Sequence, residues 1–187
     1  MDLLDLNRSA LDLNLKLVAD LEEPHLDLPT PCAGWTVYEL LRHQVEGTLA
    51  FAAGVRGTAV EAPASDDLVI AYRVAADAAT EAFGADGALE REAEFPGYGL
   101  RKGKTLVAGH FVDTLVHVWD LCRALGVDST LDEELATAAY RMARHYPTTP
   151  DVRGPGAAFA LPVDVPEDAP ITDRLVGLLG RSPAWSA

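Results

Sequence analysis

The sequence predicts an all-α protein, an up-and-down four-helix bundle with one additional helix and a proline-rich C-terminal tail. Long segments carry apolar residues at steps of three and four, as one buried helix face requires. Two T-x-x-E sequences, at Thr36–Glu39 and Thr130–Glu133, have the spacing of helix-starting capping boxes. No internal repeat and no convincing strand is present.

The elements follow in order. In residues 2–22 the stretch "LDLNLKL" alternates with period two, as a strand would. Over the longer window Leu3, Leu6, Ala10, Leu13, Leu17 and Leu21 keep helical spacing, so a first helix is expected, stopped by Pro24. Two prolines and a glycine hold residues 28–35 out of regular structure. Thr36 then caps a second helix over about Val37 to Gly54. Trp35 and Leu40 flank its start at the spacing of a hydrophobic staple, and Val37, Leu41, Val45, Thr48 and Ala52 line its inner stripe.

A third helix, capped by Ser65 or Asp66, places Leu68, Tyr72, Ala75, Ala79 and Phe83 on one face. Its alanines favour close approach of a neighbouring helix. A glycine-containing connection follows, bearing Arg101, Lys102 and Lys104. These bases suit either a solvated loop or contact with an anionic substrate or thiol. The fourth helix spans about Thr105 to Leu125 and is closed by Gly126. The Thr130–Glu133 box starts a fifth helix. Residues 147–170 hold six prolines and read as extended, and Thr172 caps a last short helix rich in leucine. Residues 1–146 are therefore expected to form the body. Residues 147–187 are expected to be a tail with a docking helix, belonging to the same domain.

Charge narrows the function. A net charge of −14 and a pI near 4.6 disfavour nucleic acid and anionic membrane surfaces as partners. The acidic N-terminal segment does not read as a signal peptide, and no apolar run approaches the roughly 20 residues of a membrane span. Cys32 and Cys122 make neither a disulfide framework nor a zinc knuckle, and a cytoplasmic, reducing location is expected.

The fourth helix, "VAGHFVDTLVHVWDLC", carries an unusual stripe. At about 100° per residue, His110, Asp113 and His117 fall within roughly 60° of one another, interrupting an otherwise apolar sector. Imidazole and carboxylate are ligands for zinc, nickel or iron, and the i, i+4 spacing of Asp113 and His117 puts both within reach of one ion. The same pair could equally be a hydrogen-bonded couple on a solvated face. A third ligand has to come from elsewhere in the chain. His25 sits in a proline-flanked loop and His145 at a helix end. His43 lies midway along the second helix, off the centre of its apolar stripe, with Gly47 one turn beyond. Cys32, just before a helix start, is either a reactive thiol or a small buried apolar group.

"LDLPTPCAGWTVYELLRHQVEG" and "HFVDTLVHVWDLCRALG" resemble the DinB-like superfamily, and within it the mycothiol-dependent maleylpyruvate isomerase N-terminal domain group. The closing "PGAAFALPVDVPEDAPITDRLVGLLGRSPAW" looks like the tail of one actinobacterial-type branch. The resemblance implies a helical bundle holding one metal, with ligands falling on His43, Asp113 and His117. Aspartate at 113 stands where the isomerase proper has glutamate. His110 is then a fourth ligand, a catalytic proton carrier or a packed histidine, and Asp120 is expected to orient a neighbour.

The expected function is a metal-dependent enzyme using mycothiol or another low-molecular-weight thiol, a transferase or isomerase acting on a small molecule. The isomerase proper carries a further C-terminal domain, for which this chain has no room. The alternative is a metal-binding or metal-free bundle acting as a binding module or homodimer, since the fourth helix is apolar on both faces.

Overall fold

A computed structural model describes all residues except 62, 96–98, 151 and 155. Pro155 of the proline-rich segment and residues 96–98 of the glycine-containing connection thus lie outside the described residues. The chain is mostly helical: α1 Leu3–Ala19, α2 Val37–Arg56, α3 Leu68–Gly84, α4 Gly103–Leu125, α5 Glu133–Ala143 and α6 Ile171–Leu178. The four long helices pack as a ring, with α1 against α4 and α3, and α2 against α3 and α4. No helix among the described residues is long and apolar enough to cross a membrane.

Helix α1 starts where Asp2 accepts from the Asp5 amide and ends at Ala19, ahead of Pro24, which instead lies in a short 3-10 turn at Glu23–Asp27. Its most deeply buried line holds Leu11 and Val18 but also Asn7 and Asn14. The leucine spacing alone does not show these two asparagines pointing inward. Asn14 Nδ2 donates to Gln44 and, at 2.7 Å, to the Tyr72 hydroxyl, so that nitrogen finds partners from α2 and α3, while Asn14 Oδ1 and Gln44 Nε2 are buried without one among the described residues.

The Thr36–Glu39 capping box starts α2, with each side chain accepting from the other residue's backbone amide. The helix runs on to Arg56 and stops at Gly57, whose φ of 77° only glycine adopts freely. Helix α3 is capped by Asp67, which accepts from the Val69 and Ile70 amides. That displaces the expected Ser65 or Asp66. Of the adjacent candidates, the carboxylate immediately before the first helical residue reaches both free donors. Ala71, Ala75, Ala76 and Ala79 are buried where α3 lies close to α2.

Two short antiparallel strands correct the expectation of no strands: β1 Glu92–Phe95 and β2 Gly99–Lys102. Strands of four residues are too short to show an alternating pattern against the background of a loop. Glu92 stands opposite Lys102 in this register, and Lys102 also meets Glu90 at 3.6 Å. Arg101 and Lys102 are therefore exposed strand positions.

Helix α4 begins at Gly103, where a side chain would collide with the Ala88 carbonyl, and it is buried on nearly every side. Trp119, Phe111 and Leu115 pack with Leu135 and Ala139 of α5 and Leu175 and Val176 of α6. Asp132, accepting from the Glu134 and Leu135 amides, caps α5 in place of the expected Thr130–Glu133 box. Thr130 lies outside the helix, its amide donating to Asp128.

The end of the chain folds back on this body. Helix α6 has no side-chain cap, which corrects the expectation for Thr172. That hydroxyl instead accepts from the Leu131 amide at 3.2 Å, tying α6 to the approach to α5. Gly177 leaves no room for a side chain beside Val165, and its carbonyl accepts from the Val163 amide at 2.9 Å.

Candidate metal centre

Helices α2 and α4 face each other, and their contact brings together the three residues expected to ligate a metal. His43, Asp113 and His117 each offer one donor atom, all within 4.8 Å of one another. His117 Nε2 lies 3.5 Å from Asp113 Oδ1, and the His43 and His117 rings stand nearly perpendicular at 5.3 Å between centroids. His43 and Asp113 are half-buried while His117 is buried, so the group opens towards the surface on one side. A side chain at Gly47 would meet no other atom within 4 Å. The space at Gly47, one turn beyond His43, is thus open rather than filled by a neighbouring element.

Trp35 was expected to act as a staple. Its ring also packs on His43 at 4.9 Å, so the residue before the α2 cap forms one wall of the site.

The ring of His117 is engaged on both edges. Its Nδ1 meets Asp120 Oδ2 at 2.9 Å, and Asp120 is fully buried. A buried carboxylate needs compensation, which arrives from far along the chain. Arg181 places Nη2 2.9 Å from Asp120 Oδ2 and Nε 3.3 Å from Oδ1. The same Nη2 lies 3.3 Å from Cys32 Sγ, itself 3.3 Å from Asp120 Oδ2. Cys32, His117 and Asp120 thus form a second donor group sharing His117 with the first. The Arg181 guanidinium supplies the positive charge there.

Electrostatics separates the two buried histidines of α4. Burial opposes a charge on His117, but Asp113 and Asp120 outweigh it and hold its pKa well above the ordinary value. Burial likewise opposes ionisation of Asp120, yet Arg181 and then His117 bring its pKa down to about 2. Asp113 is held below the usual carboxylate range by His117 against the cost of its own burial. Burial, reinforced by the charge of His117, lowers the pKa of His43.

His110 belongs to neither donor group. It is 1% exposed, its Nδ1 2.7 Å from the Asn7 amide nitrogen and its Nε2 3.2 Å from Thr48 Oγ1, with Phe51 and Phe83 edge-on at 5.4 and 5.2 Å. Burial lowers its pKa to about 4, which makes it a neutral, packed imidazole at pH 7.

Sequence reasoning missed Arg181, which lies 61 residues from Asp120. The one available signal was Asp120 itself, since an aspartate inside the apolar run "VWDLC" requires a cation from somewhere.

The donor set fits a divalent metal, being two imidazoles and a carboxylate from two helices with an open side, which matches the three-ligand pattern of reactive metal sites. The family described as the mycothiol maleylpyruvate isomerase N-terminal domain matches residues 8–122, a span that contains Cys32, His43, Asp113, His117 and Asp120 but not Arg181. Two proteins from strains of Mycobacterium tuberculosis, both described as uncharacterised, are each 35% identical over 183 residues, covering 97% of this chain and 99% of the relative. No solved structure matches the chain significantly.

Proposed function

The chain belongs to the mycothiol maleylpyruvate isomerase N-terminal domain family, within the DinB-like superfamily, and from that premise we propose that it is a metal- and thiol-dependent enzyme. In this reading the four-helix ring is a DinB-like bundle in which His43, Asp113 and His117 hold one divalent ion, zinc first among the candidates. The observation that carries it is the convergence of these three donors from α2 and α4 within 4.8 Å. When bound, the ion supplies a Lewis-acidic position at which a thiol is held as thiolate, the nucleophilic form.

The chain's own residues do the rest. His117 presents Nε2 to the site while its Nδ1 proton is held by Asp120. Trp35 shields one side of His43, and the open space by Gly47 gives a thiol and a small electrophile a way in. The proposed reaction class is transfer or isomerisation by thiolate addition to an electrophilic carbon, in the cytoplasm.

Metal analysis of purified protein tests the proposal. One equivalent is expected in the wild type, with loss in both His43→Ala and His117→Ala at unchanged far-UV circular dichroism. Visible absorption of a cobalt-loaded form is expected to change when a low-molecular-weight thiol is added. Full metal content in both variants would sink the assignment of ligands, and a spectrum indifferent to thiol would sink the thiol chemistry.

A further inference from the structure

We infer that Arg181 is a positioning residue for the metal centre, acting through Asp120 to fix the ring and the proton of His117. The inference rests on the metal reading for its consequence and on separate geometry for its cause.

The chain builds this contact deliberately. Helix α6 ends in a C-terminal turn in which the Arg181 amide donates to the Val176 carbonyl at 2.9 Å and the Gly180 amide to Gly177 at 3.0 Å. Gly180 has φ of 84°, and a side chain there would strike Ala160. Such a turn commonly carries a hydrophobic residue just past the glycine. Here it carries an arginine that is only 8% exposed and is turned into the body.

Every polar end of that arginine is used. Nε and Nη2 grip the two oxygens of Asp120, Nη1 donates to the Leu179 carbonyl at 2.9 Å, and Nη2 also lies against Cys32 Sγ. Two parallel contacts between guanidinium and carboxylate fix the plane of the carboxylate as well as its charge. The fixed Asp120 Oδ2 accepts from His117 Nδ1, so a proton is held on that nitrogen and Nε2 is the ring atom aimed at Asp113 and His43, where a metal would take the place of any second proton. Hydrogen bonds behind a ligating imidazole set its tautomer and orientation, and removing them typically costs tenfold to a hundredfold in metal affinity.

This gives the end of the chain a role in the site. Residues 8–122 match the family, yet the anchor for His117 arrives from residue 181, just beyond α6, whose Leu175 and Val176 are buried with the capping Leu179 against α4 and α5. It also explains the second donor group, because the guanidinium sits where a cation held by Cys32 and Asp120 would have to be.

The test compares wild type, Arg181→Gln and Arg181→Lys by two readouts. In metal-free protein, ring-nitrogen NMR is expected to show His117 with a slowly exchanging Nδ1 proton in the wild type, and to lose that signature in Arg181→Gln. Competition with a chromophoric chelator is expected to show zinc bound about tenfold or more weakly by Arg181→Gln, with part of the affinity restored in Arg181→Lys. A folded Arg181→Gln with the wild-type His117 spectrum and unchanged zinc affinity would overturn the inference. If Arg181→Gln does not fold, Arg181→Met, which keeps the buried stem without the guanidinium, carries the test with the same readouts and the same deciding outcomes. A wild type that binds neither zinc nor nickel nor iron ends the metal reading, whereas the His117 spectrum still decides whether Arg181 governs that ring.

Discussion

His110 makes the stability of this protein sensitive to acid in a defined window. Its Nδ1 accepts from Asn7 and its Nε2 donates to Thr48, so the folded site accommodates the neutral ring and offers nothing to a second proton. Burial holds its pKa at about 4, the opposing pull of Asp113 being smaller, against roughly 6.5 in an unfolded chain. Between those values the unfolded chain takes up a proton that the folded chain refuses, so stability falls as the pH falls. The difference amounts to about 3 kcal/mol over the window, at no more than about 1.4 kcal/mol per pH unit.

His117 does not mask this effect. Its pKa is raised in the folded state, so its stabilisation is complete below about pH 6.5 and is lost only as the pH rises through the folded value. Asp120, with a pKa near 2, contributes stability that is lost only below about pH 4. His43 shifts in the same direction as His110, so the comparison requires a variant. Glutamine at 110 can accept from Asn7 and donate to Thr48 without titrating. Urea unfolding of metal-free protein, followed by circular dichroism from about pH 7 to about pH 4, should show the advantage of wild type over His110→Gln shrinking by about 3 kcal/mol. Parallel profiles for the two proteins would refute the claim that His110 is buried neutral.

Gly103→Ala puts a methyl group against the backbone carbonyl of Ala88, which cannot swing aside. A loss of at least about 2 kcal/mol is expected in urea unfolding. Thr36→Ala removes the acceptor for the Glu39 amide and should cost about 1 kcal/mol, with metal stoichiometry unchanged. Trp119→Ala, at a position 1% exposed between α4 and the cluster of α5 and α6, should cost about 3–5 kcal/mol, read as a lower urea midpoint.

Legibility in the sequence followed the range of the interactions. The start of α2 was readable because a capping box is local, with both partners three residues apart. Helix α4 was readable from its length and its closing Gly126. Asp113 and His117 stood out because four residues make one helical turn. His43 could be paired with them only through family resemblance, since nothing local joins α2 to α4.

The caps of α3 and α5 were displaced because several Ser, Thr or Asp residues compete within a few positions, and backbone geometry decides among them. The inward asparagines of α1 were hidden by their leucine neighbours. Their partners, His110, Gln44 and Tyr72, lie on other helices. Arg181 was least legible, because its partner lies 61 residues away and the turn that aims it is visible only when folded.

Under the proposed metal reading, the ion pair behind His117 also bears on how much anion the centre can welcome. Asp113 and Asp120 each carry a negative charge and Arg181 a positive one. Add a divalent ion and neutral imidazoles, and one unit of positive charge is left over. Charge balance at that proposed centre closes with a single monoanion, such as a thiolate, and overshoots with a dianion.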